Sequence, residues 1–96
     1  MSYTYQHPYG DSVQINIVKS KYANGHNNIQ MMDAEDGMPY AMASVSVPGL
    51  TEEEVGIKNY SENEGVLAFL IENNIVEQPH RFVQSGYVTI PVCKLK

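Results

Sequence analysis

The side chains able to do chemistry are few and scattered. His7, His26 and His80 are the only imidazoles, and none has a second histidine or a cysteine at metal-ligand spacing. They are expected at the surface, with no metal bound. Cys93 is the one thiol. Alone it makes neither an internal disulfide nor a zinc cluster, and within an apolar strand it is expected as a small core side chain. Asp33, Glu35 and Asp36 precede Gly37 much as in a calcium loop, but the twelfth position of such a loop is Ser44 rather than glutamate. That run therefore reads as a hairpin turn. Glu52-Glu53-Glu54 sets three carboxylates side by side. A general acid needs burial or a specific partner to move its pKa, and consecutive glutamates on a loop are expected to have neither. No glycine-rich phosphate loop, nucleophile elbow or zinc-binding helix motif occurs. Neither enzymatic activity nor a cofactor is expected.

What remains is charge and aromatic surface. The net charge of −5 is strongly segregated. Before residue 33, Lys19 and Lys21 outweigh Asp11; residues 33–77 hold ten of the eleven acids against Lys58 alone; beyond them Arg81, Lys94 and Lys96 face no acid. So few cations cannot neutralise many phosphates, which argues against direct nucleic-acid binding. The acidic middle segment suits a basic protein surface instead, with Asp33, Glu35, Asp36, Glu52, Glu53 and Glu54 as its contact residues. Seven tyrosines in a chain without tryptophan suit an interface too, since the ring can be buried while the hydroxyl stays wet. Tyr3 and Tyr5 are expected to be exposed for this purpose.

Ninety-six residues are enough for a single domain, 1–96. The longest apolar run, Val66 to Ile71, is far too short to span a membrane. The first residues have neither a basic start nor an apolar core, so no secretory signal and no membrane association are expected. With a single cysteine, a reducing cytoplasmic location fits.

The elements that must position these groups follow from alternation with period two. Tyr3 and Tyr5 alternate with Thr4 and Gln6 before a turn at Pro8-Tyr9-Gly10-Asp11. Val13, Ile15 and Ile17 share one face of a strand over Ser12 to Tyr22, with Lys19 and Lys21 taking over the apolar parity beyond Val18. Asn24-Gly25 is a strong turn dipeptide leading into a strand over about Asn28 to Asp33. A fourth strand is expected over Pro39 to Val47, followed by Pro48-Gly49. Thr51 to Glu54 resembles a capping box, yet Val55 and Ile57 alternate, so a loop leading into a short extended piece is expected there. Ser61 and Glu64 form a capping box for one helix running to about Asn74, with Val66, Leu67, Leu70 and Ile71 as its apolar stripe and Gly65 inside its first turns. Strands over His80 to Gln84 and Tyr87 to Leu95 close the chain. Pro91 places the last of them at an edge or a bulge. One helix cannot supply the crossovers of a parallel sheet. The expected class is α+β, a mainly antiparallel sheet of six to seven strands with one helix packed on one face.

Lys21-Tyr22-Ala23-Asn24-Gly25, Ile29 to Asp33, Glu35 to Ala41, Val45-Ser46-Val47, Glu72 to Ile75, Ser85 to Val88 and Pro91-Val92 together give the chain a likeness to a known family. In this order they resemble a small bacterial family catalogued as domain of unknown function 4313, with Asn27-Asn28 where that family tends to be apolar. The resemblance implies accessory cargo of phages and conjugative elements, acting in the cytoplasm of the bacterial host. It points to a small acidic interaction protein that binds and inhibits a host protein with a basic surface, in the manner of an anti-CRISPR. The alternatives are a protein that sequesters a small molecule or nucleotide signal through Arg81, Lys94 and Tyr87, and a structural module forming a homodimer through an edge strand.

Overall fold

A computed structural model of the chain describes residues 2–6, 10–60, 63 and 65–96. The alternating segments form β1 (Ser2–Gln6), β2 (Ser12–Lys21), β3 (Asn27–Asp33) and β4 (Pro39–Met42), an antiparallel meander in that spatial order. Tyr5, Ile15, Ile29 and Met31 enter the core from one face of this sheet, with Tyr3, Val13 and Ile17 packed beside them. β2 continues to Lys21 in unbroken register with β3. Its lysine-bearing end thus runs past the core, where the Lys19 Nζ donates to the Lys96 carbonyl at 2.8 Å. At the other end of the sheet Tyr40 is an extra residue in β4, because Met31 pairs with Ala41 but Met32 with Pro39. Such a bulge turns two neighbouring residues to one face. Ala41 accordingly packs on the core and the Tyr40 ring meets Tyr5 edge-on at 6.0 Å.

The class is α+β with antiparallel sheets and one helix, but the single sheet of six to seven strands is instead two sheets of four among the described residues. The second has the order β5-β6-β8-β7, built from β5 (Ser44–Val45), β6 (Glu54–Ile57), β7 (Arg81–Ser85) and β8 (Val88–Lys94). The expected strand over Pro39 to Val47 is where the chain changes sheets. Ala43 donates its N–H to the Ile29 carbonyl at 3.0 Å, while its own carbonyl accepts from the Lys58 N–H at 2.9 Å. It belongs to the margin of both sheets, and the alternation of Ala41, Ala43, Val45 and Val47 survives the corner because Ala43 and Val47 are both buried.

β6, expected as a short extended piece after a loop, is a fully buried internal strand between β5 and β8. Gly56 suits it there: a Cβ would stand 2.7 Å from the Val45 carbonyl oxygen. β8 is internal as well, and its register with β7 is unbroken at Pro91, so the edge or bulge expected from that proline is not found. Its ladder to β6 stops at Gly56↔Val92, next to Pro91, so the missing N–H falls where that pairing ends.

The helix α1 (Val66–Glu72) covers the inner face with Val66, Phe69 and Leu70. Phe69 meets Tyr5 edge-on at 5.1 Å and Tyr3 at 6.4 Å. Leu67 and Ile71 are only partly buried, so the stripe is turned slightly from the expected one. Gly65 is not inside the helix. It is the N-cap at φ 96°, a left-handed conformation that favours glycine. Asn74, left-handed at φ 59°, ends the helix as expected. The Ser61–Glu64 capping box, His7 and the Pro8-Tyr9 turn lie outside the described residues. Among the described residues no helix is long and apolar enough to cross a membrane.

Seven residues are too few for an isolated helix in water, so α1 depends on its buried side chains. Leu70→Ala should therefore cost about 2–5 kcal/mol, read from urea unfolding. A loss under about 1 kcal/mol would place Leu70 outside the core. Gly56→Ala, which drives a methyl group against backbone, should lower stability by about 1–3 kcal/mol in the same assay, and an unchanged midpoint would refute the close approach of β5.

Candidate functional site

The acidic run Glu52-Glu53-Glu54 is divided by the fold. The Glu54 N–H donates to the Thr51 carbonyl at 3.1 Å, and the Thr51 N–H returns to the Glu54 Oε1 at 3.0 Å. This is capping-box chemistry closing a turn rather than opening a helix. Glu54 is the first residue of β6, and its side chain points under the turn with little exposure. Arg81, two strands away across β8, meets it with a bidentate pair: Nε donates to Oε2 at 2.9 Å and Nη2 to Oε1 at 2.7 Å. The same Nη2 donates to the Gly49 carbonyl at 3.0 Å. The His80 Nε2 lies in hydrogen-bond contact with Oε2. Asn27, buried at the start of β3, spends its amide protons on the Glu52 and Glu54 carbonyls, at 2.8 and 3.0 Å. The loop from Gly49 to Glu54 is thus fixed from two sides, by an asparagine of the first sheet and the arginine of the second.

Above this base the loop faces the β2–β3 hairpin turn across a cleft of about 290 Å³ lined by Asn24, Gly25, His26, Leu50, Thr51 and Glu52. The Asn24 Oδ1 accepts from the His26 N–H at 3.0 Å, an Asx turn; the Asn24 Nδ2 donates to the Ser46 Oγ at 3.0 Å; and the His26 Nδ1 is 2.6 Å from the same hydroxyl. A hydroxyl beside an imidazole has the atoms of a nucleophile and base. Here, though, the Asn24 Nδ2 lies 3.3 Å from the same Nδ1 that faces the hydroxyl, and among the described residues no group is hydrogen-bonded to the ring's other nitrogen to orient it as a base. The cleft is better suited to binding: amide, hydroxyl and imidazole groups with one carboxylate form a mostly polar pocket of negative charge. A larger groove of about 420 Å³ beside Leu67, Ala68 and Ile71 of α1 is mainly apolar, with Asn59, Glu72 and Gln78 as its polar side chains. Among the described residues no three metal-ligating side chains converge.

The residues expected to carry function separate into groups. Glu52 and Glu53 are exposed on the fixed loop. Glu54 is not a surface carboxylate; it has the burial and the specific partners that the sequence reading denied it. Asp33, Glu35 and Asp36 stand at the far end of β3 from Asn27, roughly 20 Å away at about 3.3 Å per residue. The acidic middle segment is therefore two separate ends of the molecule. At the distant end the Asp33 Oδ1 accepts from the Glu35 N–H at 2.8 Å and the Asp36 Oδ1 from the Met38 N–H at 2.9 Å, so both carboxylates build the hairpin turn expected there. Glu35 is exposed beside them. Tyr3 and Tyr5 are not exposed. Tyr3 is half-buried and Tyr5, at 2 % exposure, belongs to the core, where burial and the nearby Tyr40 push its phenol pKa up. Cys93 is buried as expected, and burial pushes its thiol up to about 11.

His26, Ser46 and Asn27 were missed as site residues. Asn27-Asn28 did carry a signal: two polar residues leading into an apolar strand. Arg81 carried another, being the only arginine in the chain. No family model, curated protein or solved structure matches the chain.

The Glu54 carboxyl is held far below its ordinary 4.5, first by the Arg81 hydrogen bonds and then by the Thr51 N–H, against the opposing effect of burial. A depressed folded-state pKa gives stability that is complete above the unfolded value and is lost as pH falls from there toward the folded one. Urea midpoints should accordingly fall below about pH 4.5. Glu54→Gln should cost about 1–3 kcal/mol at neutral pH and flatten that acid limb. An acid limb as steep as that of the unaltered protein would show that the carboxylate contributes nothing to it.

Proposed function

We propose that the protein is an interaction module that docks a basic protein surface against its cleft end. The observation that carries this reading is the exposed Glu52–Glu53 pair, displayed on a loop fixed by Asn27 and by the Glu54–Arg81 pair. A loop ordered before binding loses little conformational entropy when a partner arrives. A lysine or arginine side chain entering the cleft would meet the Glu52 carboxylate together with the acceptors of Asn24 and Thr51, and charge-assisted hydrogen bonds of this kind are the strong ones. The distant acidic turn is the lesser candidate, since Asp33 and Asp36 already spend their carboxylates on backbone amides.

The likeness to phage and conjugative-element cargo supports inhibition of a bacterial host protein as the outcome of that docking, in the cytoplasm and without catalysis. Sequestering a nucleotide signal is less well supported. Arg81, which that reading needs as an anion-binding group, is engaged with Glu54, and Tyr87 stands fully exposed at a hairpin tip.

Capture from host lysate on the immobilised protein should recover a partner with a basic surface, whose association slows as salt rises. The double variant Glu52→Gln, Glu53→Gln keeps size and hydrogen-bonding groups while removing two charges. It should slow association at low salt by about threefold or more, measured by stopped-flow, with the urea midpoint unchanged. Association at the unaltered rate would show the acidic loop to be a solubility feature only.

A further inference from the structure

The two sheets present four edges, and they are not equally protected. β4 carries Pro39 and a bulge, and β5 is only two residues long; both features blunt an edge against pairing. β1 turns its tyrosines inward and presents Ser2, Thr4 and Gln6 on its other face. β7 also lacks a blunting feature, and unlike β1 it displays an apolar side chain outward. Its residues from Phe82 to Ser85 include no proline, charge or bulge, the one charge of the strand is Arg81 at its start, and among the described residues it pairs with β8 alone. Phe82 on this strand is 62 % exposed, and Tyr87 at the tip of its hairpin is fully exposed.

The backbone groups that this edge offers follow from the hairpin. Gly86-Tyr87 is a two-residue loop closed by Ser85↔Val88. The closing pair of such a loop exchanges hydrogen bonds, and by antiparallel alternation so do Val83↔Ile90 and Arg81↔Val92. Phe82 and Gln84 are the residues whose N–H and C=O point away from the sheet. They stand symmetrically on either side of Val83. A two-fold axis through Val83 therefore sets Phe82 opposite the partner's Gln84 and Gln84 opposite the partner's Phe82, with four main-chain hydrogen bonds between them. Val83 then meets its own copy as a non-hydrogen-bonded pair, and the two Phe82 rings become diagonal neighbours on one face, within reach of each other. Charge permits this pairing. Phe82 to Ser85 are uncharged, Arg81 is neutralised by Glu54, and the acidic turn at Asp33 to Asp36 belongs to the other sheet. A chain with net charge −5 can meet itself along this strand without setting like charges opposite one another.

We propose that β7 is a homodimerisation edge: two copies pair β7 with β7, antiparallel about Val83, into one continuous eight-stranded sheet. The contact is small and confined to strand edges, so the dimer forms with a dissociation constant on the order of micromolar or weaker. It is independent of the cleft and leaves Glu52 and Glu53 free in both copies.

Sedimentation equilibrium of the full chain over about 5–500 μM tests this. The mass should rise from the 10.7 kDa of one chain toward twice that value with concentration. Phe82→Lys, at an exposed position, should keep the circular dichroism spectrum and weaken dimerisation at least about tenfold. Gln84→Pro removes an outward N–H that β8 does not use and should do the same. A single-chain mass at every concentration overturns the proposal, and so does a dimer that both variants leave intact.

Discussion

The seam between the two sheets rests on one hydroxyl group. The Ser44 Oγ accepts the Ile29 N–H at 2.8 Å and lies 3.0 Å from the Tyr22 hydroxyl, while its own proton goes to the Asn28 Oδ1 at 2.8 Å. The Tyr22 hydroxyl also lies 3.2 Å from the Ser44 carbonyl, so it ties both the side chain and the backbone of Ser44 to the hairpin turn. Buried among strands, an unsatisfied partner at this point would cost the desolvation of a main-chain amide. Together with the two main-chain bonds of Ala43, this hydroxyl lets β3 support the first sheet along its length and the beginning of the second at Ser44. The placement of β5, then β6 beside it, and then Glu54 at the start of β6 all depend on where that corner is made.

Glu52, Glu53 and Glu54 are chemically identical and adjacent, yet they differ completely in situation. Strand geometry sends Glu54 beneath its own turn, where Arg81 and His80 can reach it, and leaves Glu52 at the rim of the cleft and Glu53 outside. The buried member is not a reservoir of binding charge; it is what lets the exposed members be held still. Buried ion pairs add little net stability over an apolar substitute, so the role most consistent with its geometry is to specify one conformation for the loop above.

Much of the fold was legible as period-two alternation, because half-buried strands must place every second residue in the core. β2 and β3 follow from Val13-Ile15-Ile17 and Ile29-Met31; the β7–β8 hairpin follows from Gly86, although its loop is Gly86-Tyr87, one residue later than a turn at Ser85-Gly86 would place it. The division into two sheets was not legible, because Ala41, Ala43, Val45 and Val47 keep their parity through a corner that is made by main-chain partners. The burial of Tyr5 was hidden for a related reason: its alternation states that one face is buried, but only Phe69 of α1 and the bulge at Tyr40 determine which. The cleft escaped for a third reason. His26 and Ser46 meet through the return of distant segments, and neither has a local pattern that would announce it.

The chain order of the second sheet bears on how the molecule is made. The meander of β1 to β4 consists of neighbours in sequence and can assemble as each hairpin is synthesised. β6 must wait: its partner β8 is the last strand, and Glu54 pairs with Lys94, 39 residues intervening. On a ribosome, a chain halted between Ile57 and Val88 would carry a nearly finished first sheet beside Glu54, Val55 and Gly56, which still lack their β8 neighbours. For that interval the nascent protein exposes a sticky strand that the finished fold conceals, and chaperones or premature self-pairing would find it there.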